Sequence, residues 1–223
     1  GKAGIELVDP GSPEEIADRA QAPPLTMLPA CPFMHATGQW GGFSTLLTGG
    51  KLVIDPMVHF DADRILGLIE QERVNTVLLV GDASVSPLLD ALAKGAIEEH
   101  GPRRDLRSLM VLMSSGAMLS PKHKRTLFEL LPKLIVFDGF GSSESGMQAT
   151  TFTTADQPLG ELRFKAAATT TVVDENLRPV EPGSGVVGRV ASKARVPIGY
   201  YKDAEKTAAT FVEIDGERWV IPG

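Results

Sequence analysis

The sequence predicts an α/β protein: a parallel-rich β-sheet flanked by helices in βαβ units, followed by a small β-rich subdomain. Three observations carry this prediction. Residues 50–146 alternate short apolar runs with helix-like stretches, in the order β-α-β-α-β-α-β. The apolar runs are continuous rather than alternating, as strands buried on both faces of a parallel sheet require. After residue 150 helical periodicity fades, and short β-prone runs separated by turn residues take over. A boundary near residue 155 therefore divides the chain into 1–155 and 156–223.

Each element has a local reason. Ser12-Pro13-Glu14-Glu15 is a helix start, with a capping hydroxyl, a proline in the first turn and acids at the positive helix end; the helix runs to about Ala20. Leu25–Pro29 reads as a strand ending at Pro32-Phe33-Met34-His35. Thr37–Leu47 reads as a glycine-bearing helix that packs closely, and Lys51–Ile54 as a strand. Asp61 caps a helix with apolar positions Ile65, Leu66, Leu68 and Ile69. Asn75–Val80 is a β-branched strand, and Ser86-Pro87 starts the next helix. Leu109–Met113 is a strand, Ser120-Pro121 starts a helix to about Leu131, and Leu134–Phe137 is the last strand of the series. In such a sheet the loops after Val80, Met113 and Phe137 gather at one edge, where ligands bind. Beyond the boundary, Thr169–Val173, Gly185–Ser192 and Phe211–Ile214 read as short strands.

Composition removes several function classes. The net charge is −6 with no arginine-rich stripe or basic tail, which argues against nucleic acid as the main partner. No apolar run approaches the roughly 20 residues of a membrane span, and the polar, acidic opening is unlike a signal peptide, so a cytoplasmic location is expected. Cys31, the single cysteine, reads as a small buried apolar side chain in a reducing compartment, with a thiol nucleophile as the alternative. With no initiator Met and a stop at Trp219–Gly223, both ends read as cut points within a longer protein.

The chemistry concentrates in Val136-Phe137-Asp138-Gly139-Phe140-Gly141-Ser142-Ser143-Glu144-Ser145-Gly146. An apolar strand runs into a glycine-framed turn bearing an aromatic ring, hydroxyls and a carboxylate. That set suits a purine nucleotide: a ring face for the base, hydroxyls for phosphate oxygens, a carboxylate for Mg²⁺.

Three further segments join it in order: Pro32-Phe33-Met34-His35, Ser115-Gly116-Ala117-Met118-Leu119-Ser120, and Gly199-Tyr200-Tyr201-Lys202-Asp203 with Thr207 and Phe211. The run Asp215-Gly216-Glu217-Arg218-Trp219-Val220-Ile221-Pro222-Gly223 closes the series. Together they resemble the adenylate-forming acyl-CoA synthetases, over nearly the whole chain. Val196–Asp203 is most similar to bacterial fatty-acyl or steroid-side-chain CoA ligases.

The resemblance implies a nucleotide floor of Gly139, Phe140, Gly141, Ser142 and Ser143, with Phe140 stacking on adenine and Ser143 touching the α-phosphate. Glu144 stands at the Mg²⁺ carboxylate position, so Glu144 and Ser143 are the implied catalytic pair. Gly116 and Ala117 line the adenine and acyl pockets, and His35 gates the acyl pocket. The implied ligands are ATP/AMP, Mg²⁺, CoA and a carboxylic acid. The family's phosphate loop is expected before residue 1, and its ribose Asp and catalytic-lysine lid after residue 223. The resemblance thus implies a central fragment that is inactive alone and needs the missing parts of its own parent chain. Gly188-Arg189 replaces a common Gly-Glu.

Plainer readings stand beside these. Phe140 also suits core filling, Ser143 a turn, Glu144 a solvated acid or helix-cap neighbour, Gly116-Ala117 a strand-to-helix turn, and His35 an ordinary half-buried histidine. Tyr200-Tyr201 reads as packing and Trp40 and Trp219 as core. His59, His100 and His123 receive no role, and Glu70, Glu72, Glu98 and Glu99 read as solvated. Gly49-Gly50-Lys51 fails as a phosphate loop because no Ser or Thr follows the lysine. Gly141-Ser142-Ser143-Glu144-Ser145 approaches a hydrolase nucleophile elbow at Ser143, but β-prone Gln148–Thr154 follows where the elbow needs a helix. A non-catalytic nucleotide-binding module and a serine hydrolase are the alternatives to the ligase.

Overall fold

The computed structural model describes residues 12–14, 17, 24–97, 104–160, 163–193 and 196–222. The helix expected from Ser12 to Ala20 falls largely outside these residues, as do Glu98, Glu99 and His100. The chain forms two compact units, Gly1–Leu78 with Arg104–Leu109, and Leu79–Arg103 with Met110–Gly223. Among the described residues no helix is long and apolar enough to cross a membrane.

In the first unit, strand β1 (Thr26–Pro29) lies between β2 (Lys51–Leu52) and β3 (Thr76–Leu79) and is parallel to both, with Met27 opposite Leu52 on one side and Thr76 on the other. Helix α1 (Ala36–Leu47) links β1 to β2. Its glycines do what the sequence suggested: a Cβ at Gly41 would lie 2.7 Å from the Leu78 side chain. Trp40, expected in the core, is instead exposed on α1, beside exposed Phe43, Leu46 and Leu47. The helix is nearly apolar all round, so hydrophobicity alone could not say which face is covered. Helix α2 (Ala62–Glu72) starts at Asp61, whose carboxylate accepts the Arg64 N–H at 3.1 Å. It buries Ile65, Leu66 and Ile69, each stabilising by about 1.5–3 kcal/mol, and ends on left-handed Arg73.

In the second unit, helix α3 (Gly81–Ile97) precedes β4 (Val111–Ser115), α4 (Pro121–Leu130) and β5 (Ile135–Ser142). β4 and β5 are parallel, with Leu112 opposite Val136 and Ser115 opposite Gly139. β6 (Gly146–Thr153) and β7 (Lys165–Ala166) continue antiparallel. α3 starts five residues before the Ser86-Pro87 signal and carries Pro87 internally. The true start is set by Gly81, at φ 51°, and by Ser84, whose hydroxyl accepts the Val80 N–H at 2.7 Å. α4 begins at Pro121 after capping Ser120, as predicted.

A four-stranded antiparallel sheet completes this unit in the order β10-β11-β9-β8: β8 (Thr170–Val173), β9 (Arg189–Ser192), β10 (Phe211–Ile214) and β11 (Glu217–Val220). Helix α5 (Ala204–Thr210) precedes β10, capped by Asp203. Val173, Ala191 and Ile221 form its small core, against which Trp219 packs half-buried. Parallel strands with helical crossovers and a small antiparallel sheet match the predicted class; β11 and α5 were not foreseen.

Between α4 and β5 lies a buried ion pair. Lys124 Nζ donates to Asp138 Oδ2 at 2.6 Å, and the two residues are only 2% and 3% exposed. Asp138 Oδ1 is buried without a hydrogen-bond partner. Burial raises the Asp138 carboxyl above its ordinary value, against the opposing pull of Lys124.

Candidate functional site

The predicted glycine-framed turn is largely strand. β5 stays regular through Gly139, bulges between Phe140 and Gly141, and runs on to Ser142, which faces Gly146. Only Ser143, Glu144 and Ser145 remain as the hairpin tip. Glycine is required at 141, because a Cβ there would lie 2.1 Å from the Gly146 carbonyl oxygen of the returning strand. Phe137 and Asp138 are buried on opposite faces of the strand, whereas Phe140, on the Asp138 face but two residues nearer the strand end, is 44% exposed with its ring 6.0 Å from Phe164. An aromatic face is therefore offered outward directly beyond the core.

Within the hairpin tip the hydroxyls divide their work. Ser145 Oγ accepts the Ser142 N–H at 3.2 Å and lies 2.9 Å from Ser142 Oγ, so these two serines hold the turn. Ser143 is exposed, and its hydroxyl has no hydrogen-bond partner among the described residues. Strand β6, not a helix, follows it.

Glu144 is half-buried and accepts a 2.7 Å hydrogen bond on Oε1 from the Tyr200 hydroxyl, 56 residues away. That phenol is the main reason the Glu144 carboxyl sits below its ordinary value. Its own backbone N–H, the Ser142 hydroxyl and the Lys206 charge add to the effect, against opposing burial. Tyr200 moves upward, chiefly because its proton is held by Glu144. The sequence reading of Tyr200 as packing thus misses its hydroxyl, although its ring does pack, 5.7 Å from Phe211. Tyr201 is exposed.

The turn after β4 comes to the same edge, since Ser115 pairs with Gly139. Gly116 takes φ 82°, a conformation glycine adopts without strain, and Gly116 and Ala117 are exposed. The turn is clamped from behind by the start of α3. The Asp82 N–H donates to the Met118 carbonyl at 3.1 Å, and Asp82 Oδ1 accepts the Ser120 N–H at 2.8 Å.

His123, given no role from sequence, belongs to this clamp. Its Nδ1 lies 2.8 Å from Asp82 Oδ1 and 3.0 Å from Ser120 Oγ. Both contacts use one ring nitrogen, so the trio is a structural tie and not a proton relay, which needs both nitrogens. Asp82 sits below its ordinary value: burial opposes this, and the Ser120 and His123 hydrogen bonds outweigh it.

The structure therefore gathers Gly116, Ala117, Gly139, Phe140, Gly141, Ser142, Ser143 and Glu144 on one edge of the second unit. His35 lies in the first unit, exposed at the N-cap of α1, with no side-chain cap bond. Among the described residues no group of three or more His, Cys, Asp or Glu side chains could hold a metal. A lone carboxylate does fit a Mg²⁺ ion that arrives with a nucleotide, because such ions keep phosphates and waters as most of their ligands.

Comparison with known proteins agrees with the fold. A family model described as AMP-binding enzyme matches residues 14–201. A 3-oxocholest-4-en-26-oate–CoA ligase of Rhodococcus rhodochrous is 40% identical over 205 residues, covering 92% of this chain and 36% of the relative. A medium/long-chain-fatty-acid–CoA/3-oxocholest-4-en-26-oate–CoA ligase of Mycobacterium marinum is 40% identical over 211 residues, 94% of this chain and 37% of its own length. The chain thus spans little more than a third of the length of these relatives. Among solved structures, CmiS6 superposes with a TM-score of 0.73 at 23% identity, over 90% of this chain and 49% of its own. The luciferase-like enzyme of the mealworm Zophobas morio does so with a TM-score of 0.70 at 22% identity, over 94% and 47%. At such identities these two structures establish the fold alone.

Proposed function

Since the chain belongs to the AMP-binding enzyme family, we propose that it is the central part of the large domain of an ATP-dependent acyl-CoA ligase. In the proposed reaction a carboxylate oxygen of the acid attacks the α-phosphorus of ATP, and the bond to pyrophosphate breaks. The CoA thiol then attacks the acyl carbonyl and AMP leaves with the bonding pair. The names of the relatives support an apolar acid, either a medium- or long-chain fatty acid or a sterol side-chain acid. We place its working compartment in the cytoplasm, in keeping with the polar, acidic opening and the lack of a long apolar run in the sequence.

The observation that carries this reading is the shared edge of β4 and β5. It presents an outward aromatic, an unengaged hydroxyl and a carboxylate within five residues, beside a side-chain-poor turn. Phe140 stacks on adenine, which is worth about 1–3 kcal/mol. Ser143 donates to an α-phosphate oxygen, and Glu144 holds the Mg²⁺. The metal, when bound, neutralises phosphate charge in the transition state. Gly116 and Ala117 leave room for the base and acyl group, and His35 borders the acyl chain. We keep the division at residue 155 as functional: the first part carries these groups, and the second supplies Tyr200, which braces Glu144.

The test is a panel of fatty and sterol side-chain acids on the full-length ligase, scored by acid-dependent pyrophosphate release. The reading predicts release with at least one apolar acid and its loss on Glu144→Gln. It also predicts no release from residues 1–223 alone, because the family's phosphate loop and lid are not among them. Release from the isolated segment, or none from the full-length protein with any acid, refutes it.

A further inference from the structure

We infer that Tyr200 is a positioning residue for the metal carboxylate: it fixes the rotamer of Glu144 by holding one carboxylate oxygen and leaving the other for the ion. This rests on the reading of Glu144 given above. The hydroxyl-to-Oε1 distance is 2.7 Å, a short bond to a charged acceptor, and such bonds are about twice as strong as neutral ones. Glu144 otherwise stands at a three-residue hairpin tip, where a flexible side chain would lose entropy on every ligand capture. Partners of this kind orient metal ligands in many sites.

Tyr200 is itself held on three sides. Its backbone N–H donates to Thr207 Oγ1 at 2.9 Å, and that hydroxyl donates to the Asp203 carbonyl at 2.6 Å. Its ring lies 5.7 Å from Phe211, and the Lys206 ammonium sits 4.2 Å from the ring centroid. Gly199 permits the approach, since a Cβ there would lie 2.5 Å from the Thr207 side chain. The rigid turn and helix from Gly199 to Thr210 thus brace an acid 56 residues earlier. A residue of the β-rich part of the chain thereby sets the metal ligand.

The variant is Tyr200→Phe in the full-length protein, which keeps the ring contacts with Phe211 and Lys206 and deletes one oxygen. Mn²⁺ is titrated onto the ATP-saturated protein and followed by water-proton relaxation, which reads bound metal rather than turnover. In parallel, acid-dependent pyrophosphate release is measured against Mg²⁺ and against acid. Tyr200→Phe is expected to raise the half-saturating metal concentration about 10-fold in both assays, the low end for such partners because the bond is near solvent. The KM for the acid stays within about twofold, because a rotamer change at Glu144 leaves the acyl pocket untouched. Glu144→Gln gives a larger metal defect. An unchanged metal requirement in Tyr200→Phe, with the Glu144→Gln defect present, overturns the positioning role alone. An unchanged requirement in both variants overturns the assignment of Glu144, and this inference with it.

Discussion

Replacing Lys124 by Met tests how far the fold depends on the ion pair between α4 and β5. The pair is almost wholly out of water, at 2% and 3% exposure, with a 2.6 Å contact. Removing the ammonium leaves the Asp138 carboxylate buried, with Oδ1 already unpartnered and Oδ2 newly so. Breaking one side of such a pair costs about 3–5 kcal/mol, a large share of the roughly 5–15 kcal/mol that keeps a domain folded.

Replacing both partners by apolar residues, Lys124→Met with Asp138→Val, is close to neutral on the same reasoning, because no charge is then stranded. The sign with pH is fixed by burial. The folded Asp138 pKa is raised, so its contribution to stability is fullest below the ordinary carboxylate value of about 4 and is lost as pH rises through the folded value. Without Lys124 that folded value climbs further, and the Lys124→Met deficit is small near pH 4 and largest near pH 8. Urea denaturation of wild type, single and double variants at these two pH values measures all three effects. A deficit below about 1 kcal/mol at pH 8, or a double variant as unstable as the single one, refutes the argument.

Two further outcomes follow from the same geometry. If Phe140 stacks on adenine as proposed, Phe140→Ala weakens binding of a non-hydrolysable acyl-AMP analogue about 10- to 100-fold by calorimetry, with little change in unfolding temperature, because the ring is 44% exposed and does not fill the core; unaltered affinity refutes base stacking. Burial pushes the Cys31 thiol up to about 11, so its thiolate is scarce at neutral pH and alkylation by iodoacetamide proceeds on the order of 100-fold slower than that of a free thiol; labelling at the free-thiol rate at pH 8 refutes the burial argument and revives a nucleophilic cysteine.

Much of the fold was legible because its signals are local. Asp61 and Ser120-Pro121 mark helix starts by side-chain caps and a preset φ, and both helices begin where these residues say. The continuous apolar strands follow from burial on both faces. The failures share a cause. Ser86-Pro87 has the form of a helix start, yet Ser84 and Gly81 supply a better one upstream, and the helix absorbs the proline. Gly139–Ser142 has turn composition, yet the antiparallel return of β6 draws it into a hairpin. Trp40 has core character, yet sits on the exposed side of a helix apolar all round.

By itself the sequence determined the order of strands and helices as far as β5, though not α5 or β11, and placed an aromatic, a hydroxyl and an acid at the end of one strand, because caps, periodicity and β-propensity act over a few residues. Only the tertiary structure decided who meets whom. It set the Gly116 turn beside Gly139 through the Ser115–Gly139 register, sealed Lys124 against Asp138, and brought the Tyr200 hydroxyl to Glu144. Such meetings depend on strand register and on the angle at which elements pack. Local patterning carries neither, so a tyrosine that reads as packing filler becomes the partner of an acid 56 residues away.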